Sequence, residues 1–239
     1  TDMSRMFENC QNINRIDISS FRTEKVIDLS NMFKSCFNLR EIDFSNLKTN
    51  NVKTMASMFE DCYSLNSLKI PKLVTDSVED MSYLFSYCQS LTEIDTSSFN
   101  TKNVKDMSYM FEHCYSMISL DVSSFDTSKV TNMAGMFFAA ESITSLDVSK
   151  FDTKEVVDMY GMFFFLQNLL ELDVSKFDTS KVTDMSEMFY YDFSIEKLKV
   201  DNFITINVIS MAYMFSDMYA LTSLDLSNFD TSKTTDMSF

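Results

Sequence analysis

The sequence predicts an α/β solenoid: a curved stack of about nine repeats of 26 residues, each with one short parallel strand and one short helix. Three observations predict it: an apolar residue, usually methionine, recurs every 26 residues; a phenylalanine follows four places later in every repeat; and no insertion or deletion breaks the phase. The apolar column is Met3, Leu29, Met55, Met81, Met107, Met133, Met159, Met185, Met211 and Met237. The phenylalanine column is Phe7, Phe33, Phe59, Phe85, Phe111, Phe137, Phe163, Phe189 and Phe215.

The first part of each repeat predicts the helix. Met107, Met110, Phe111 and Cys114 are spaced i, i+3, i+4 and i+7, which would place them on one face of a helix with 3.6 residues per turn. Asp106 is a suitable N-cap residue. Because this helix has only about two turns, it would depend on packing against neighbouring repeats.

The second part predicts the strand. Apolar and polar residues alternate over 120–123, so Leu120 and Val122 are expected to face the core, while Asp121 and Ser123 face outward. A turn with the sequence "DTS" follows, and Val130 is expected to begin another short extended segment that leads to the next helix.

One strand and one short helix per 26 residues is the geometry of a leucine-rich-repeat solenoid, whose strand motif L-x-x-L-x-L is matched by segments such as "LTEIDTSSF". Each repeat has one apolar face and can bury it only by stacking. Helices need about 8–10 Å between their axes and parallel strands about 4.8 Å, so the helical side should be wider and the array should curve. We expect residues 1–239 to form a single solenoid domain that begins and ends within a repeat and belongs to a longer array.

Composition limits the partners. The hydrophobic content of 45% is enough to build a sizeable core in a chain of 239 residues. The net charge of -15 argues against nucleic acid and against anionic membrane surfaces. The sequence has no run of 18 apolar residues of the kind that would insert this segment into a membrane, and no signal peptide is visible in it.

The repeated pattern L-x-x-L-D-V-S-x-F-D-T-S-K-V-T-D-M-S-x-M-F-x-x-C resembles that of the BspA-like leucine-rich repeat surface proteins of bacteria and some protists, over essentially the whole chain. The resemblance implies an extracellular or cell-surface module that takes part in adhesion, with a host, matrix or cell-surface protein as its partner. It carries over no binding residue, because that family has no fixed site. Glycine and tryptophan, frequent in such repeats, are rare or missing here.

Two further columns have structural interpretations. The cysteines recur without a second Cys or His beside them, and neighbouring helices would hold them too far apart for disulfides, so we predict buried free thiols. We expect the hydroxyls of the threonine column to stabilise turns, and we favour this interpretation over an ice-binding face. The cysteines are Cys10, Cys36, Cys62, Cys88 and Cys114. The threonines are Thr23, Thr49, Thr75, Thr101, Thr127, Thr153, Thr179, Thr205 and Thr231.

An acidic column follows the outer face of the strands, interrupted by Lys69 and Lys199. Like charges stacked at strand spacing repel one another, so the column is either an acidic concave face for a basic partner or for calcium, or a solvated face whose carboxylates bond nearby serines. We favour the solvated face and assign no cofactor, with calcium as the alternative. The column consists of Asp17, Asp43, Asp95, Asp121, Asp147, Asp173 and Asp225.

Nothing in the sequence indicates catalysis. His113 is the only histidine and lies in a slot that is expected to face solvent. The sequence has no Ser-His-Asp pattern, HExxH motif or glycine-rich loop, so we predict that the protein is not an enzyme.

Aromatic residues replace polar ones in three consecutive repeats. In "GMFFFLQN" (161–168), Phe163 belongs to the repeated column, whereas Phe164 and Phe165 occupy slots that are polar in most other repeats. Stacking should align them with their equivalents in one row, which is either an exposed patch for a partner or a locally repacked segment; we favour the patch. The candidate interface is Phe138, Phe164, Phe165, Tyr190, Tyr191 and Phe193.

These observations favour a non-enzymatic, surface-displayed module for protein binding or adhesion. The alternative is a structural element that self-associates in a surface layer or filament through the aromatic row. The sequence does not name the ligand.

Overall fold

The computed structural model describes residues 1–70 and 73–239 and stacks one 26-residue coil upon the next. Two pairs of parallel strands, each two or three residues long, form on one side. They are β1 (Glu41–Asp43), β2 (Ser67–Lys69), β3 (Glu171–Leu172) and β4 (Lys197–Leu198), with β1 pairing with β2 and β3 with β4. The register joins each residue to the one 26 positions later, as in Leu172 and Leu198. The sequence period is therefore the length of one coil.

A second parallel ladder, more continuous than the strands, lies where helix N-caps were predicted. Single β-bridges join each coil to the next through this slot, over the whole length of the chain. The bridged residues are Asp2, Asp28, Thr54, Asp80, Asp106, Asn132, Asp158, Asp184, Ser210 and Asp236. The extended segment that was predicted to begin at Val130 is thus present.

The core consists of the repeated apolar columns. Leu120 and Val122 are buried while Asp121 and Ser123 are exposed, which confirms the predicted alternation. The rings of the phenylalanine column stack from Phe7 to Phe215, with neighbouring centroids 5.4–6.1 Å apart. Each coil therefore buries its apolar face against the same face of its neighbours.

The helix predicted over residues 107–114 is wrong, because the described residues contain no helix and this segment forms consecutive turns. Alternate amides donate to the next coil, as Tyr109 N–H does to Ala134 O at 2.8 Å, and the amides between them close local turns, as Glu112 N–H does on Tyr109 O at 3.2 Å. Helix axes require about 8–10 Å of separation, whereas the stacked rings are about 6 Å apart. The wide helical side on which the predicted curvature depended is therefore absent from the described chain.

Left-handed backbone makes these turns possible. Two residues per coil, four positions apart, have φ between 52° and 69°. A residue in this conformation cannot continue a right-handed helix. The first left-handed column is Arg5, Asn31, Ser57, Tyr83, Tyr109, Gly135, Gly161, Glu187, Tyr213 and Phe239. The second is Asn9, Ser35, Asp61, Tyr87, His113, Ala139, Phe165, Tyr191 and Asp217.

No helix in the described residues has the length and apolar character needed to cross a bilayer.

An aromatic candidate interface

The structure brings the candidate interface together on the turn side of the solenoid. Phe138 and Phe164 stack with their ring centroids 4.0 Å apart, and Tyr190 meets Phe164 edge-on at 5.3 Å. Beside this row, the rings of Tyr191 and Phe193 each lie 5.8 Å from that of Phe165. Contacts of this kind contribute about 0.5–1.5 kcal/mol per pair beyond the area that they bury.

All six side chains are partly buried, so the cluster belongs neither to the core nor to an isolated protruding patch. Phe163, directly before Phe164 in the chain, is fully buried in the phenylalanine column. The three consecutive phenylalanines thus divide between the core and the surface. The rings hold one another in place while presenting part of their area to solvent, and their role as a partner interface stays a prediction.

The aromatic surface extends beyond the six predicted residues. Tyr87 contacts His113 at 4.3 Å, His113 contacts Phe138 at 5.5 Å, and Tyr190 contacts Tyr213 at 5.2 Å, all between ring centroids. We call the continuous series the aromatic stripe. It comprises Phe37, Tyr63, Tyr87, His113, Phe138, Phe164, Tyr190 and Tyr213, flanked by Phe165, Tyr191, Phe193 and Tyr219.

His113 was expected to face solvent, and this expectation is wrong. Its side chain is 17% exposed, because the rings of Tyr87, Tyr115 and Phe138 surround it. Burial lowers the pKa of His113, so its ring is neutral at neutral pH. The histidine is therefore one more uncharged ring in the aromatic stripe.

Phe165 and Tyr191 belong to the second left-handed column, with φ of 60° and 63°. For residues with a Cβ, this conformation costs roughly 1–2 kcal/mol, and glycine and asparagine adopt it most readily. The cost is offset by the ring contacts that these side chains make with their neighbours. Backbone geometry alone therefore does not favour an aromatic residue at either of these two positions.

The only two glycines of the chain, Gly135 and Gly161, lie 26 residues apart in the first left-handed column. A Cβ on Gly135 would lie 2.3 Å from the ring of Tyr109, and one on Gly161 would lie 3.0 Å from the ring of Phe138. Each glycine thus makes room for an aromatic ring from the preceding coil. This pair of glycines is the signal in the sequence that could have indicated the left-handed turns.

Asp192 lies between Tyr191 and Phe193 in the sequence, in the slot that holds cysteine in the first five coils. It is fully buried, and its Oδ1 accepts a hydrogen bond from the Leu166 N–H at 2.7 Å. Its Oδ2 has no hydrogen-bond partner among the described residues. Burial raises the pKa of Asp192 well above its usual value. The structure therefore keeps the Asp192 carboxyl group within the core.

The aspartates of the acidic column each close a local turn. In each, Oδ1 accepts a hydrogen bond from the backbone N–H of the serine two residues later, as Asp121 does from Ser123 at 2.9 Å. The hydrogen bonds from serine lower the pKa of these carboxyl groups, as in Asp121. No group of three or more His, Cys, Asp or Glu side chains in the described residues is placed to hold a metal ion.

Four of the five cysteines are buried and Cys10 is partly buried. The buried thiols donate to phenylalanine carbonyls of the preceding coil, as Cys62 Sγ does to Phe33 O at 3.3 Å. Burial raises the pKa of Cys36 to about 11 and that of Cys114 to about 12. All five are free thiols, as predicted.

Comparison with known proteins matches one family from end to end. The profile described as "Mycoplasma protein of unknown function, DUF285" matches residues 1–119, 92–169 and 158–239. No curated protein matches the chain.

Among solved structures, the chain is similar to a leucine-rich repeat protein from Bacteroides ovatus, with 18% identity, a TM-score of 0.48, and coverage of 99% of this chain and 69% of that one. It is also similar to a leucine-rich cell surface protein from Faecalibacterium prausnitzii, with 15% identity, a TM-score of 0.44, and coverage of 99% and 79%.

Proposed function

Because the chain belongs to the family described as Mycoplasma proteins of unknown function, DUF285, we propose a function on the basis of the side chains that its surface presents. The protein is a non-enzymatic binding module, displayed on a cell surface or secreted, that adheres to a host, matrix or cell-surface protein. The aromatic stripe is the observation that supports this proposal, and the candidate interface is the part that meets the partner.

The energetics of protein interfaces support this assignment. A few aromatic residues usually dominate the binding energy of an interface, near its centre. The rings of Phe138, Phe164 and Tyr190 already hold one another in place, so binding would lose less side-chain entropy than it would with free rings. The net charge of -15 would also attract a basic partner and speed association.

The test replaces three rings by a residue that the fold accepts in that slot. Ser86 and Ser216 occupy the equivalent positions in other coils, so the triple variant Phe138→Ser, Phe164→Ser, Tyr190→Ser should fold. Binding of the intact chain to a panel of purified matrix and cell-surface proteins would be measured by surface plasmon resonance. We expect the variant to lose at least about tenfold in affinity for any partner of the parent chain.

A matched control removes exposed apolar side chains outside the stripe. Ile118 and Leu170, which are 57% and 58% exposed, share one slot in two coils. The variant Ile118→Ser, Leu170→Ser should bind like the parent. If the triple variant folds and binds every partner as the parent does, the stripe is not the interface. If instead the parent forms oligomers that the triple variant does not form, the self-associating structural role replaces adhesion.

A further inference from the structure

A gap interrupts the second left-handed column within the aromatic stripe. Ala139 fills a slot that holds Tyr87 and His113 in the coils before it, and Phe165 and Tyr191 in the coils after it. A groove of about 280 Å³ opens at this position. Because Ala139 has the same left-handed φ as its neighbours, the groove arises from one missing ring and not from a change in the backbone.

The walls of the groove are aromatic and its one carboxylate is Glu141. Rings of His113, Tyr115, Phe165 and Tyr191 line it, and its lining contains no lysine or arginine. Gln167 Nε2 donates to Glu141 Oε2 at 3.0 Å, which holds the carboxylate at the edge of the groove. Burial raises the pKa of Glu141, so a cation beside it would favour its ionised form.

We propose that this groove binds the guanidinium group of an arginine side chain carried by a protein partner. The proposal rests on the protein-binding function proposed above and names the chemistry of the partner. Aromatic faces attract cations placed over them, and a carboxylate at the edge of the groove fixes the direction of a donated hydrogen bond.

Guanidinium fits this arrangement better than other organic cations. Its planar group stacks on aromatic rings while its N–H bonds remain available, in the same plane, for the Glu141 carboxylate. A quaternary ammonium has no N–H to donate. A lysine ammonium is more strongly hydrated and loses more on entering an apolar groove. The strongly acidic chain would also favour a basic segment of the partner.

The experiment titrates the intact chain with the peptide acetyl-Gly-Arg-Gly-amide and follows backbone amide shifts by NMR. We expect binding with a Kd on the order of 1 mM, since one side chain supplies the contact, with shifts centred on Ala139, Glu141 and Phe165. The peptide with citrulline in place of arginine keeps the shape without the charge and should not bind. Choline tests the quaternary ammonium.

Two substitutions have precedents in the same slots of this chain. Ala139→Tyr fills the groove with the residue that stands at positions 87 and 191, and it should abolish the shifts. Glu141→Gln introduces the residue found at positions 89 and 167, and it should weaken binding roughly threefold to tenfold. Asn9→Tyr makes the same addition to this column far from the groove and should bind like the parent.

The outcomes separate this proposal from the adhesion function. Arginine-peptide binding that is lost in Ala139→Tyr and weakened in Glu141→Gln supports the groove. No binding to the parent, equal binding of citrulline, or tighter binding of choline overturns it. If the peptide fails to bind while the triple serine variant still loses its protein partner, the aromatic interface stands and only the arginine assignment falls.

Discussion

Thr127 and Asp152 are joined by two hydrogen bonds across neighbouring coils: the Thr127 hydroxyl donates to Asp152 O at 3.0 Å and accepts from Asp152 N–H at 2.8 Å. Thr127 is buried, so its hydroxyl replaces a pair of backbone bonds between coils. The threonine column was predicted to stabilise turns within each repeat. In the structure it joins one coil to the next, as Thr153 repeats the arrangement with Asp178.

This geometry predicts that Thr127→Val is strongly destabilising although the two side chains have nearly the same shape. The valine leaves the N–H and C=O of Asp152 without their partner, which should lower the free energy of unfolding by about 2–4 kcal/mol. Thr127→Ser keeps the hydroxyl and serves as the control, with a smaller loss. Urea denaturation followed by circular dichroism measures both, and equal losses in the two variants would contradict the bridging role.

Asp192 predicts an unusual pH dependence of stability. Because its pKa is raised in the native state, the folded chain holds this proton to higher pH than the unfolded chain does. The contribution of Asp192 to stability is therefore greatest at low pH and decreases as the pH rises from about 3.9, the ordinary value for aspartate, through the raised native pKa.

The variant Asp192→Asn tests this sign. Asparagine keeps an acceptor for the Leu166 N–H and removes the titration, so the Tm of the variant should exceed that of the parent at pH 7.5, with little difference near pH 3. Asp173→Asn is the control, because hydrogen bonds from Ser175 lower the pKa of Asp173 and its replacement should give no gain at neutral pH. A variant less stable than the parent at pH 7.5 would mean that the charge is accommodated.

The cysteine column predicts one fast-reacting thiol and four slow ones in the native chain. Cys10 is partly buried, whereas the other four are buried, and burial raises their pKa, so little reactive thiolate is present. Titration with a chromogenic disulfide at pH 8 should show one rapid equivalent, and all five after unfolding. Cys10→Ser should remove the rapid phase. Five rapid equivalents in the folded protein would refute the burial of the column.

Phe163 and Phe165 should respond very differently to substitution. Phe163→Ala removes a fully buried ring from the stacked column and should cost about 3–5 kcal/mol. Phe165→Asn loses the contacts of a partly exposed ring, but asparagine adopts the left-handed conformation at a lower cost than phenylalanine. These opposing effects are about 1 kcal/mol each, so the free energy of unfolding should change by less than about 1 kcal/mol. Thermal unfolding compares the two, and a large loss at Phe165 would show that this ring serves packing.

Much of this architecture could be predicted from the sequence. The 26-residue period identified the coil, its register and the columns that form the core, because a stacked array repeats one burial pattern at every step. The same period aligns Phe138, Phe164 and Tyr190 in one row. The groove at Ala139 was missed, although the loss of a bulky residue from that column is visible in the sequence.

The sequence alone did not determine the conformation of the turns. The spacing of Met107, Met110 and Phe111 suits a helix, but it also suits turns with two left-handed residues four positions apart. Only the stacked structure decides between them, because each coil must lie about 6 Å from the next along the phenylalanine column, closer than helices can pack. At that spacing the backbone satisfies its hydrogen bonds between coils, and the left-handed turns hold the rings of Phe165 and Tyr191 partly exposed at the surface.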